Sequence, residues 1–182
     1  MRRIYLLIIL LSALLSNTIL VPGDYPTIQE AINVSMDGDS VIVSSGTYPE
    51  DLYITSSITL VGEPGATIDA SEYTNGIVVG FDNEIDGYVD GVEINGFEII
   101  GDLNTMCGIQ ILPGSRNIII SNNIIHGMEL PNYSSIVEAS YGILSWGINA
   151  DFNPENITIL NNEIYDVRAI AISFGSFSND IV

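Results

Sequence analysis

Few side chains in this sequence could do chemistry, and their types and spacing limit what that chemistry would be. The densest acidic run is Asp82, Glu84, Asp86 and Asp90, with Gly87 and Gly91 at its turns. Oxygen ligands of this kind can hold Ca²⁺, although the spacing is not that of an EF-hand; a solvated acidic loop would read the same way. Abstraction of the proton α to a uronate carboxylate would need such Ca²⁺-binding carboxylates and a nearby Lys or Arg. Only Arg116 and Arg168 lie outside the N-terminal segment, and they fall at different points of the sequence pattern. Hydrolysis of a glycosidic bond would need two placed carboxyl groups. The single histidine, His126, has no aspartate pair beside it and reads as an outward or corner residue. Met106, Cys107, His126 and Met128 supply soft ligands of the type copper(I) favours, and are also ordinary core residues. Trp146 and tyrosines such as Tyr133 and Tyr141 could stack on sugars or pack a loop. In the turn Gly46-Thr47-Tyr48-Pro49-Glu50, Tyr48 and Glu50 either contact a substrate or build the bend, Tyr48 by packing and Glu50 beside the next strand.

The elements that would position these groups are short strands. From Val41 onward, β-branched segments such as "SVIV", "SITLVG", "NIIISNNII" and "NITILNNEI" alternate with Gly, Asn, Asp, Ser and Pro. They repeat. Ile58, Val92, Ile118 and Ile157 coincide; so do Leu60, Ile94, Ile120 and Ile159, and then Gly62, Gly96, Asn122 and Asn161. A second element places Gly76-Ile77, Gly108-Ile109, Gly142-Ile143 and Ala169-Ile170 in correspondence. Counted from Gly108 and from the Asn122 corner respectively, Met106 and Met128 both fall opposite Val167, an apolar position. The repeat is roughly 25 to 40 residues, the range of a solenoid. The pattern predicts an all-β stack of coils, a parallel β-helix: equivalent strands pair in parallel one coil apart, with isoleucines stacked inside. Asn122-Asn123 and Asn161-Asn162 should recur at a corner, their amides bonding along the stack, with Gly62 and Gly96 serving the same corner earlier. Thr27 and Glu30 form a capping box for one short helix, the expected N-terminal cap.

The chain has 182 residues, no lysine, four arginines and 23 acidic residues, for a net charge of -19. A field of that sign repels phosphate backbones and argues against a nucleic-acid partner. Arg2 and Arg3 precede an apolar run from Ile4 to Leu15, the order of a secretory leader. Residues 1–20 are expected to be a signal peptide or membrane anchor, the only part to meet a membrane, and residues 21–182 a β-helix domain that continues past Val182. Cys107 stands alone, so no disulfide can form within the chain. Asn33, Asn132 and Asn156 head glycosylation-type triplets.

The stretch "VPGDYPTIQEAIN" through "GTYPEDLYITSSITLVGEPGATIDA" resembles the first coils of pectin methylesterases over Val21 to Ala70. It is at least as similar to archaeal and bacterial surface proteins with NosD-like and parallel β-helix repeats, and that match continues through the Asn-Asn coils to the end. The resemblance implies the fold, a right-handed parallel β-helix. It implies an esterase poorly, because the aspartates, glutamine and arginine that do the work in that family lie in later motifs with no counterpart here. The expected role is therefore a secreted or cell-surface structural or adhesive module able to bind polysaccharide or cell-surface glycan. Tyr48, Glu50, Tyr141 and Trp146 are its candidate contacts, and Asp82, Glu84, Asp86 and Asp90 its candidate Ca²⁺ ligands. The alternative is a pectinesterase, polysaccharide lyase or glycoside hydrolase whose catalytic coils lie beyond Val182.

Overall fold

The computed structural model describes residues 16–81, 88–129, 139–146, 153–174 and 179–181. They form three parallel sheets and one helix, α1 (Ile28–Val34). The first sheet has seven strands in the order β1 (Thr18–Val21), β2 (Ser40–Val43), β5 (Thr59–Gly62), β8 (Val89–Asn95), β11 (Ser115–Ser121), β14 (Glu155–Leu160) and β17 (Asn179–Ile181). The second runs β3 (Gly46–Tyr48), β6 (Ala66–Asp69), β9 (Glu98–Ile100), β12 (Ile124–His126) and β15 (Glu163–Tyr165). The third runs β4 (Leu52–Ile54), β7 (Asn75–Val79), β10 (Cys107–Ile111), β13 (Tyr141–Ser145) and β16 (Ile170–Phe174). The chain visits the sheets in rotation and returns to each one strand further along, an arrangement consistent with a β-helix solenoid.

The register follows the repeat read in the sequence. Val92, Ile118 and Ile157 are paired in line, as are Leu60, Ile94, Ile120 and Ile159. All but Ile159 are buried, and with Ile68, Ile99 and Ile125 of the second sheet and Ile77, Ile109 and Ile143 of the third they form one continuous core. The recurrent Gly-Ile element has a steric origin. A Cβ on Gly108 would lie 2.5 Å from Cγ2 of Ile125 and 2.7 Å from the carbonyl of Gly142 one coil on. Gly76 and Gly142 meet the same kind of neighbours, Ile99 and Ile164. The fourth member of this series is corrected: Ile143 pairs with Ile172, so Ala171-Ile172, not Ala169-Ile170, is the equivalent pair. In a segment that repeats Ala-Ile twice, the pattern alone does not choose; the carbonyl of Ala171 against Gly142 does.

The asparagine corner divides its work. The first residue of each pair takes the left-handed conformation, with φ of 56° at Asn122 and 54° at Asn161. The second makes the ladder. Asn123 is buried; its Oδ1 accepts from the N–H of Phe97 at 3.0 Å and its Nδ2 donates to the carbonyl of Ile94 at 3.1 Å. Oδ1 of Asn162 accepts from both N and Nδ2 of Asn123, at 2.9 and 3.0 Å, and its Nδ2 donates to Ile120. Gly96 shares the bend at φ 85°, whereas Gly62 does not have positive φ. Gly62 is small because the Phe97 ring lies against it, 2.9 Å from where a Cβ would be.

The N-terminal end is closed by α1, whose Ile28, Ala31 and Ile32 are buried. Thr27 caps it, accepting from the N–H of Glu30 at 3.2 Å. Strand β1 pairs with β2 from Thr18 onward, so the last residues of the segment read as a leader belong to the first sheet. The Asp39 carboxylate ties this end together, accepting from the N–H groups of Asn17 and Met36 at 2.7 and 2.9 Å. Those backbone donors, Met36 first, hold its pKa below the ordinary carboxylate value. Among the described residues no helix is long and apolar enough to cross a membrane.

Candidate functional site

Alternation along a strand sends every second residue outward. On the second sheet this builds two rows across the coils. One row is Thr67, Glu98, Ile124 and Glu163; the other is Asp69, Ile100, His126 and Tyr165. The intervening Ile68, Ile99 and Ile125 point into the core and fix the strands beneath. The outward groups touch one another. Thr67 Oγ1 donates to Oε2 of Glu98 at 3.1 Å, and Nε2 of His126 lies 3.1 Å from Oε1 of the same carboxylate. The imidazole stacks on the Tyr165 ring, with centroids 4.7 Å apart and planes 5° from parallel. Ile124 and Tyr165 are exposed for their type, and Glu98 keeps about 39% of its side chain in solvent. The residues that follow Tyr165 in the chain, Asp166 to Arg168, line an open cleft with Glu129.

Such a face offers flat apolar surface flanked by hydrogen-bonding carboxylates. Glycosidic hydrolysis would need two carboxyl groups placed across one bond. Among the described residues no group of three or more His, Cys, Asp or Glu side chains is arranged to hold a metal ion.

The residues singled out from the sequence are placed as follows. Tyr48 is buried, and its hydroxyl donates to the Ser44 carbonyl at 3.0 Å. Burial, then the charges of Glu50 and Glu63, raise its pKa. Glu50 turns back to α1: its two carboxylate oxygens accept from the N–H groups of Ile28 and Gln29, at 3.0 and 2.9 Å. The Gly46 to Glu50 turn thus joins the first coil to its cap. Tyr141 is buried at the start of β13 against Cys107, Ala139 and Leu144, whereas Trp146, just past the end of that strand, is 44% exposed. The two do not form a common platform. Asp82, Glu84 and Asp86 lie outside the described residues, as does Tyr133. Asp90 accepts from Nδ2 of Asn117 and is paired in register with Arg116. Arg116 sits 3.6 Å over the Tyr88 ring and 3.7 Å from Glu155, on the first sheet, while Arg168 follows β15; the two arginines do not converge. Nor do the soft ligands. Met128 is in the main core, Cys107 and Met106 belong to a separate cluster with Ala139, Tyr141 and Leu144, and burial drives the Cys107 thiol pKa well up. With the corrected register, Met106 falls opposite Ala169 rather than Val167.

Glu98, Glu163 and Tyr165 were not singled out from the sequence, yet a signal for them exists. Glu98, Ile124 and Glu163 each lie two residues past the corner set by Gly96, Asn122 and Asn161, and Ile100, His126 and Tyr165 lie four past it. Counting from the corner would have laid out both rows. Compared with known proteins, the chain matches no protein-family model, no curated protein and no solved structure.

Proposed function

We propose that the chain is a right-handed parallel β-helix, exported from the cytoplasm, that acts as a structural or adhesive surface module and binds glycans along the outward face of its second sheet. The observation that carries this reading is the outward contact that runs across the two rows, from Glu98 to His126 and on to the half-exposed Tyr165 ring. Pyranose rings pair one apolar face with a rim of hydroxyls, and aromatic and aliphatic surface beside carboxylate acceptors suits both parts. The leader-like order of Arg2, Arg3 and the Ile4 to Leu15 run supports export. The acidic surface supports a soluble exterior and disfavours nucleic acid. The test is affinity electrophoresis of the full chain through gels containing neutral, acidic and amino polysaccharides. Retardation by at least one glycan, lost in Tyr165→Ala with the melting temperature retained, is expected. Unretarded migration in every gel would remove the glycan reading.

A further inference from the structure

The geometry points to a glycan bearing free amino groups as the ligand of this face, an inference that rests on the glycan-binding reading and names its substrate class. The register defines a grid three coils long. Glu98, Ile124 and Glu163 form one edge, and Ile100, His126 and Tyr165 the other. Parallel strands stand about 4.8 Å apart, so Glu98 and Glu163 sit about 10 Å apart along the stack, with the exposed Ile124 between them. An extended amino-sugar chain lying along the stack would present ammonium groups on alternate residues at comparable intervals. It would place its apolar pyranose faces over Ile124 and the exposed surface of Tyr165.

Each oxygen of Glu98 carries one protein partner, Thr67 or His126, and a carboxylate oxygen can accept a second hydrogen bond. The Thr67 contact also fixes the carboxylate, so an ammonium donor meets an acceptor already oriented. His126 is the only basic side chain on the grid, and the chain has no lysine. A uronate polymer would bring carboxylates against Glu98 and Glu163, and like charges at that range repel. The same argument ranks N-acetylated chains below free amines, because acetylation removes the charge while leaving the apolar face intact.

The experiment is isothermal titration of the full chain with a short glucosamine oligomer, the matching N-acetylated oligomer and an oligogalacturonate. It is repeated for Glu98→Gln with Glu163→Gln, for Tyr165→Ala, and for Glu63→Gln, an exposed acid at the corner before β6 and outside the grid. Melting curves establish that each variant is folded. The expected result is binding of the glucosamine oligomer at least roughly tenfold tighter than of its acetylated form, the discrimination a charge-assisted hydrogen bond supplies. The double glutamine variant should lose that preference, Tyr165→Ala should weaken all binding, and Glu63→Gln should change nothing. Equal binding of acetylated and free oligomers, untouched by the double variant, would overturn the amino-group inference and leave the glycan reading standing. An effect of Glu63→Gln as large as that of the double variant would overturn it too, as non-specific charge attraction. No binding of any oligomer, together with free migration in the gels, would remove both.

Discussion

Replacing Glu50 separates two roles for the Gly46 to Glu50 turn. In the fold, its carboxylate receives two backbone N–H groups from the first turn of α1, at 3.0 and 2.9 Å. Glu50→Ala leaves both donors to water in a partly buried position. Losing a helix cap costs about 1 to 2 kcal/mol, and losing a negative charge at a helix start adds about 0.3 to 1 kcal/mol. A total near 2 kcal/mol lowers the melting temperature of a chain of this size by about 4 to 8 °C. Glu50→Gln keeps one acceptor and should lose about half as much. Thermal unfolding by circular dichroism reads the shift. Hydrogen exchange at α1 and β4, which touch, should quicken before the later coils respond. Glycan binding, proposed for later coils of the second sheet, should not move. A Glu50→Ala protein that melts with the parent but no longer binds glycan would refute the capping role and return Glu50 to the substrate-contact role suggested by its motif.

Four further outcomes are expected. Gly108→Ala should destabilise by roughly 1 to 3 kcal/mol or prevent folding, because its methyl meets Ile125 and the Gly142 carbonyl, whereas Gly91→Asn, at φ 92° with open space around it and opposite Asn117, should cost less than about 1 kcal/mol; denaturant titration compares them. Asn123→Ala orphans the Phe97 N–H and the Ile94 carbonyl and should cost about 2 to 5 kcal/mol by the same titration. Cys107, fully buried and with its thiol pKa raised by burial, should resist alkylation at pH 8 in the folded protein and react at once in denaturant, as mass spectrometry would show. Asp39 has its pKa lowered in the folded state, so the unfolded chain holds more protons and this contribution to stability is complete above the ordinary value of 3.8 and is lost as pH falls through the lowered one; acid titration of Asp39→Asn should show a shallower decline in that window.

The parts of the fold legible in the sequence are those that every coil repeats. The stacked isoleucines and the left-handed Asn122 and Asn161 are dictated one coil at a time, so a linear pattern exposes them. What escaped depends on which coil a residue meets. Gly62 and Gly96 look alike in the alignment, yet one yields space to the Phe97 ring and the other bends the chain. Glu50 reaches a helix about twenty residues upstream, and no local pattern states that contact. Ala169-Ile170-Ala171-Ile172 satisfies the repeat in two registers, and only the Gly142 neighbour selects between them. The outward face of the second sheet is hidden for a related reason. Its members lie on separate strands 28 residues apart in the case of Glu98 and His126, and side chains facing outward are free of the apolar constraint that makes the core repeat visible.

The amides of Asn123 and Asn162 bond from coil to coil, in the same direction as the strand-to-strand hydrogen bonds of all three sheets. The molecule is therefore mechanically directional. Tension applied between its two ends along that direction meets one coil's set of bonds at a time, and rupture advances from an end like a zip. Tension applied across it, along the strands, must shear many parallel bonds together and meets far greater resistance. A tether fixed at one corner of a coil and a load drawn at right angles to the stack would use the stiff direction of this architecture.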